Sequence, residues 1–89
     1  MKQVKVLISG TVQGVLFRSF LSEQAILLHV TGWARNTPEG NVEALFQGDE
    51  NSVGRMIRRC LKGPTSATIA NVSFREADEP VYRDFVVKS

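Results

Sequence analysis

The sequence predicts an α+β domain in which two helices pack against one face of a mixed, mainly antiparallel sheet. Three observations lead to this prediction. Apolar residues alternate with polar ones near the N-terminus. They recur at helical spacing in two later segments. Turn-forming residues separate these segments, which gives the order strand, helix, strand, strand, helix, strand and one last strand.

The first strand and the first helix flank a glycine-rich loop. Alternation of apolar residues from Val4 to Ile8 indicates the strand. Apolar residues at helical spacing between Phe17 and Leu28 then predict a helix of about three turns. His29 follows this helix, and we expect it to end the helix in the left-handed αL conformation, which histidine tolerates better than most residues other than glycine.

A β-hairpin is predicted next. Its first strand runs from Thr31 to Asn36, and its second from Asn41 to Gln47. The intervening TPEG sequence is typical of a turn, with Pro38 in its second position and Gly40 in its fourth.

The second helix is the clearest amphipathic segment of the chain. Asp49 and Glu50 lie at its start and basic residues lie near its end, which is the charge arrangement that the helix macrodipole favours. Gly63-Pro64 ends it. Its apolar residues follow the spacing i, i+3, i+4, i+7, i+8, and they are Val53, Met56, Ile57, Cys60 and Leu61.

Two strands complete the pattern, one marked by Ala70, Val72 and Phe74 and a last one from Phe85 to Lys88. The order βαββαβ, with a C-terminal strand added, is that of the ferredoxin-like fold, or split βαβ sandwich. The 89 residues show no internal repeat or linker-like stretch, so we expect residues 1–89 to form a single domain. Many unrelated functions use this fold, so it does not by itself indicate one.

Composition argues against several classes of protein. A hydrophobic content of 43% with 22% charged residues is ordinary for a soluble globular domain. No apolar run approaches the roughly 20 residues that span a bilayer, and the N-terminus does not resemble a signal peptide, so we expect no membrane association. A single cysteine permits no internal disulfide, which predicts a cytoplasmic location. The net charge of +2 is too small to indicate a nucleic-acid partner.

The loop before the first helix is the first candidate site. A strand that passes through a glycine-rich turn into a helix N-terminus gathers unpaired backbone N–H groups, which favour anions. Arg18 lies in the first helical turn and is suited to binding two oxygens of a phosphate or carboxylate. A phosphate site and an ordinary turn with a solvated arginine are both compatible with these residues. Asn36 likewise either projects its amide from a sheet end or merely favours the turn.

The other reactive residues indicate structural roles. One histidine and one cysteine far apart in sequence predict no metal site. Cys60 lies on the apolar stripe of its helix and is expected to be an inert core thiol, and Trp33 is expected to pack in the sheet. An RNA-binding member of this fold needs aromatic residues on its two central strands, where only Phe46 is found, so we expect no nucleic acid. A solvated helix face is predicted for Arg55, Arg58, Arg59 and Lys62.

Two motifs resemble those of the acylphosphatase family. The pattern G-x-V-Q-G-V-x-F-R is matched by GTVQGVLFR from Gly10 to Arg18, and G-W-x-x-N by GWARN from Gly32 to Asn36. Further features follow in the family's order: a hairpin strand ending in QG, Gly-Pro after the second helix with a downstream A-x-I-x-x-V, and a C-terminal D-F-x-V. The resemblance covers nearly the whole chain.

The resemblance implies a hydrolase that converts acyl phosphates to a carboxylate and inorganic phosphate by direct attack of water. It implies no metal, no cofactor and no covalent enzyme intermediate. By motif match, Arg18 is the phosphate-binding residue and Asn36 positions the attacking water. The expected partners are a small acyl phosphate as substrate and inorganic phosphate as product and competitive ligand, bound by a protein we expect to be monomeric. The phosphate cradle would be formed by the backbone of Gln13, Gly14, Val15, Leu16 and Phe17.

An alternative reading is a phosphate- or acyl-phosphate-binding module without turnover. The presence of both Arg18 and Asn36 favours the enzyme, because a phosphate binder has no need of an amide that orients water. Two residues depart from the family pattern. Leu16 stands where many bacterial relatives have glycine, and at φ > 0 it would cost roughly 1–2 kcal/mol, although we expect altered packing at the site's mouth with retained activity. His29 stands where relatives usually have a helix-ending glycine.

Overall fold

A five-stranded sheet with the strand order β4-β1-β3-β2-β5 forms one layer of the molecule. The computed structural model describes residues 1–14 and 16–88. All strand pairs are antiparallel except β2 with β5, which is parallel. The mixed, mainly antiparallel sheet is therefore confirmed. The elements in chain order are β1 (Lys2–Thr11), α1 (Phe17–Leu28), β2 (Thr31–Asn36), β3 (Val42–Gly48), α2 (Glu50–Lys62), β4 (Thr68–Glu76) and β5 (Phe85–Val87).

Both helices pack on the same face of the sheet, as predicted. The alternating residues Val4, Val6 and Ile8 of β1 are buried there together with apolar residues of β3. Each helix buries the one stripe that its apolar spacing defines. In α1 this stripe consists of Phe17, Leu21 and Ala25, and in α2 of Val53, Met56 and Cys60.

Three strands, β1, β3 and β5, have boundaries that differ from the predictions. β3 begins at Val42, one residue late, because Asn41 bonds back to Thr37: the Thr37 N–H donates to the Asn41 carbonyl. It continues through Gly48, which pairs with Lys2. β5 ends at Val87, one residue early. β1 is longer than its alternation indicated, because a register shift between Ser9 and Gly10 carries the pairing on to Thr11.

The opposite face of the sheet is covered by the segment of residues 77–84, which joins β4 to β5. The side chain of Gln3 exchanges two hydrogen bonds with the backbone of Glu79, both 3.0 Å long. Gln47 donates to the Pro80 carbonyl at 2.9 Å and accepts from the Tyr82 N–H at 2.8 Å. Trp33 is buried on this face, as the sequence predicted. None of the helices in the described residues has the length and apolar content needed to cross a membrane.

Candidate active site

A cleft of about 190 Å³ lies at the end of the sheet where β1 leads into α1. Both β1 and β2 run antiparallel to β3, which lies between them, so their carboxyl ends share one edge of the sheet. This topology brings Arg18, in the first turn of α1, into the same cleft as Asn36, the last residue of β2. The lining residues are Val12, Gly14, Leu16, Phe17, Arg18, Ser19, Asn36 and Val87.

The N-terminus of α1 opens into this cleft without a side-chain cap. Leu16 occupies the N-cap position with φ 60° and ψ 26°, and no acidic residue lies in the first turn. No side chain of the described residues caps the first-turn N–H groups of α1. These groups lie at the positive end of the helix macrodipole, an environment that favours an anion.

The Arg18 side chain is half-buried and is held by the residue that follows the last strand. Its Nη1 donates a 2.7 Å hydrogen bond to the backbone carbonyl of Lys88. The Lys88 N–H in turn donates to the Ala34 carbonyl of β2 at 2.8 Å. One edge of the guanidinium is thus fixed to the sheet, and no carboxylate of the described residues forms an ion pair with it. The remaining N–H groups are available to oxyanions.

Gln13 connects the glycine-rich loop to the hairpin turn that follows Asn36. Its Nε2 donates to the carbonyls of Thr37 at 2.9 Å and Asn41 at 2.8 Å. Asn36 therefore lies one residue before a hairpin turn that is hydrogen-bonded to the glycine-rich loop. This side-chain contact was not predicted from the sequence, where only the backbone of Gln13 was expected to take part in the site. The amide type of the side chain showed that it could donate hydrogen bonds, but it did not identify the acceptors.

Comparison with known proteins agrees with this geometry. The family model described as acylphosphatase matches residues 4–87. An acylphosphatase of Pelotomaculum thermopropionicum is 47% identical over 73 residues, which are 82% of this chain and 79% of that protein. The chain belongs to the acylphosphatase family. Two acylphosphatase structures are also similar. The one from Coxiella burnetii has a TM-score of 0.93, 34% identity and coverage of 98% of this chain and 92% of its own. That from Bacillus subtilis has a TM-score of 0.96, 28% identity and full coverage of both chains.

The residues predicted from the acylphosphatase motifs have distinct locations. Gly14, Leu16, Phe17, Arg18 and Asn36 line the cleft, whereas Gln13 lies behind it. The ring of Phe17 is buried in the core, so this residue contributes mainly backbone. Val15 lies outside the described residues. Three lining residues were not predicted, and they are Val12, Ser19 and Val87.

Both residues that depart from the family pattern have positive φ. Leu16 is at φ 60° beside the cleft, which meets the condition under which a leucine is strained. His29 is at φ 57° and ψ 40° and ends α1, so the predicted αL conformation is confirmed. His29 lies about 18 Å along the helix from the cleft.

The remaining reactive side chains lie outside the cleft. Cys60 is fully buried, and burial raises the pKa of its thiol to about 12, as expected of an inert core thiol. Among residues 1–14 and 16–88, no group of three or more metal-ligating side chains occurs together. Among the described lining residues, the polar side chains of the cleft are those of Arg18, Ser19 and Asn36.

Proposed function

We propose that this protein is an acylphosphatase that hydrolyses the carboxyl–phosphate anhydride bond of small acyl phosphates. The observation that carries the proposal is a single cleft containing an uncapped helix N-terminus, the Arg18 guanidinium and the Asn36 carboxamide. Membership of the acylphosphatase family supports it.

The phosphoryl group binds at the N-terminus of α1. Arg18 lies in the first turn of a helix, where the macrodipole disfavours a cation. A bound phosphoryl group removes this conflict, because its oxygens accept from both the guanidinium and the amides. In this proposal the backbone of residues 13–17, including Val15, forms the cradle, and Arg18 binds the phosphoryl oxygens.

Asn36 holds the attacking water. The water oxygen attacks phosphorus, the P–O bond to the acyl group breaks, and the carboxylate leaves with the bonding electron pair. One water proton passes to a phosphoryl oxygen, so acyl phosphate and water give a carboxylate and dihydrogen phosphate with no change in total charge. Because a carboxylate is a good leaving group, the reaction needs no strong general acid. Positioning and stabilisation of charge on the phosphoryl oxygens supply the catalysis.

The alternative function, a phosphate-binding module without turnover, is not favoured. Such a module requires the anion donors of α1 but gives no role to the Asn36 amide in the same cleft. The relatives that match over most of the chain are named acylphosphatases.

We further propose a monomeric cytoplasmic enzyme that binds no nucleic acid. The single cysteine, Cys60, is buried and suits a reducing compartment. Phe46, the aromatic residue on a central strand, is fully buried, so its face is not available for stacking on a base. Inorganic phosphate is expected to compete with substrate as the reaction product.

Hydrolysis of benzoyl phosphate in the presence of EDTA tests the proposed activity. We expect turnover that chelation leaves unchanged, because the cleft donors bind oxyanions directly. Absence of hydrolysis by well-folded protein would favour the binding module instead. Loss of activity on chelation alone would show that the mechanism proposed here is wrong.

A further inference from the structure

Leu16 is an exposed leucine in a strained conformation at the mouth of the cleft. Its side chain is 79% exposed, and its φ of 60° lies in the left-handed region. The conformation costs a residue with a Cβ roughly 1–2 kcal/mol relative to glycine. An apolar side chain that stays exposed in the free protein gains no hydrophobic stabilisation there. With its side chain 79% exposed, Leu16 gains little from packing against the described residues, which points to a ligand contact.

The cleft has an apolar side to which Leu16 belongs. Val87, near the end of the chain in β5, also lines the cleft and is 42% exposed. Val12 and the Phe17 ring lie in the core below, each 1% exposed. Among the described residues that line the cleft, Leu16 and Val87 are therefore the two apolar side chains accessible to a ligand.

The polar donors of the cleft leave the acyl part of a substrate to these apolar residues. In the proposed function, the phosphoryl oxygens bind at the N-terminus of α1 and to Arg18. The acyl group is joined to the phosphoryl group through one oxygen, so it extends from the cradle toward the opening. Leu16 stands at that opening, where an apolar acyl group removes its side chain from water.

We propose that Leu16, with Val87, binds the acyl group and makes the enzyme select acyl phosphates with aromatic or extended aliphatic acyl groups over acetyl phosphate. This inference rests on the proposed function. It assigns to the apolar side of the cleft a role in substrate selection that the phosphate donors do not have.

The ratio of kcat/KM for benzoyl phosphate to kcat/KM for acetyl phosphate tests the inference. Changes in the loop that affect phosphate binding alter both values and leave the ratio unchanged. The unmodified protein should prefer benzoyl phosphate. Leu16→Gly should lower the ratio because the acyl group loses an apolar contact. The expected change is about three- to tenfold, since a side chain at an open rim contributes less binding free energy than one in an enclosed pocket. Leu16→Asn, which tolerates positive φ but is polar, should lower it similarly, and Leu16→Met should retain it.

Two further variants separate selection from loop effects. Val87→Thr keeps a β-branched residue in the strand and should lower the ratio about two- to threefold, so the inference stays testable if Leu16 variants fold poorly. Leu27→Asn removes an exposed leucine of α1 that lies outside the cleft, and it should leave the ratio unchanged.

Several outcomes would overturn the inference. One is a ratio unaffected by Leu16→Gly and Val87→Thr. Another is a preference of the unmodified protein for acetyl phosphate. Both results still show a working acylphosphatase, so they are distinct from a failure of the proposed function, in which neither substrate is hydrolysed.

Discussion

His29 and Leu16 share a left-handed backbone conformation but differ in what surrounds them. His29 ends α1 far from the cleft, and the N–H of the next residue, Val30, closes the helix by donating to the Ala25 carbonyl at 2.8 Å. The His29 side chain is exposed and makes no hydrogen bond to the described residues. Its strain therefore has a structural origin, in the reversal from α1 into β2, whereas that of Leu16 lies beside the proposed site.

We predict that His29→Gly stabilises the protein. Glycine removes the αL cost of roughly 1–2 kcal/mol, less an unfolded-state entropy of roughly 0.5–1 kcal/mol. A net gain of about 0.5–1 kcal/mol should raise the melting midpoint by roughly 2–8 °C for a domain of this size. Thermal unfolding followed by circular dichroism measures the shift.

His29→Ala is the matched control, because alanine keeps the strain of a Cβ at positive φ. It should show no gain in melting midpoint. An unchanged or lowered midpoint of His29→Gly would contradict the prediction.

At the scale of single elements, α2 begins with a side-chain cap that α1 lacks. Asp49 accepts from the N–H groups of Asn51 at 3.1 Å and Ser52 at 3.3 Å. The Ser52 hydroxyl also donates to this carboxylate, and these bonds, the hydroxyl first, lower the pKa of Asp49. A side chain therefore caps the first N–H groups of α2, whereas α1 has no such cap among the described residues.

We predict that Asp49→Ala lowers the melting midpoint by a few degrees at neutral pH, because the first turn of α2 loses its acceptor. Asp49→Asn keeps an acceptor, so its melting midpoint should fall less than that of Asp49→Ala.

The depressed pKa of Asp49 also predicts a pH dependence. A depressed pKa in the folded state stabilises the protein above the unfolded pKa of about 3.9, and this contribution is lost as pH falls through the folded pKa. The advantage of the parent over Asp49→Asn should accordingly shrink below about pH 4. A difference that is constant between pH 7 and pH 2 would count against this role of the charge.

The sequence predicted the elements well where periodicity and caps agree. The apolar stripe of α2, its acidic start and its Gly-Pro end located that helix correctly. The register shift between Ser9 and Gly10 has no comparable signal in the sequence, because it depends on how β4 pairs with β1. Pairing across the sheet is a property of two distant segments, so alternation within β1 alone did not predict its extension to Thr11.

At the scale of the whole molecule, Gln47 holds the segment that covers the second face of the sheet. This side chain is 1% exposed and holds the segment of residues 77–84 by two backbone hydrogen bonds, to Pro80 and Tyr82. β5 follows this segment, and the carbonyl that holds Arg18 follows β5. The segment on the second face therefore leads directly into the strand and the carbonyl that hold the Arg18 guanidinium at the end of the sheet.

We predict that Gln47→Met destabilises the protein by about 2–4 kcal/mol, because it fills the space but leaves the Pro80 carbonyl and the Tyr82 N–H without their partner. Urea unfolding followed by the fluorescence of Trp33, which is buried on the same face, measures the loss. Gln24→Met, at a half-buried position of α1 where the side chain accepts one hydrogen bond from Arg59 and none from the backbone of the described residues, is the control and should cost less. A Gln47→Met variant as stable as the parent would show that these hydrogen bonds contribute little.

The sequence identified the two central side chains of the candidate site but not the contacts that support them. Arg18 and Asn36 were named from motifs, and the shared sheet edge of β1 and β2 places them in one cleft. The Gln13 contacts with the hairpin turn and the Lys88 carbonyl beneath Arg18 were not predicted. They join segments 24 and 70 residues apart, and backbone acceptors carry no residue-type signal.

The central claim is that Arg18 binds the phosphoryl group while Asn36 positions the water, and one comparison tests it most directly. The inhibition constant of inorganic phosphate and the kcat for benzoyl phosphate are measured for Arg18→Ala and Asn36→Ala, with Arg55→Ala and Asn71→Ala as controls outside the cleft. We predict that Asn36→Ala lowers kcat while phosphate still competes, and that Arg18→Ala loses phosphate binding and at least roughly 10²–10³ in rate. Equal loss of phosphate binding in both variants would contradict the assigned roles.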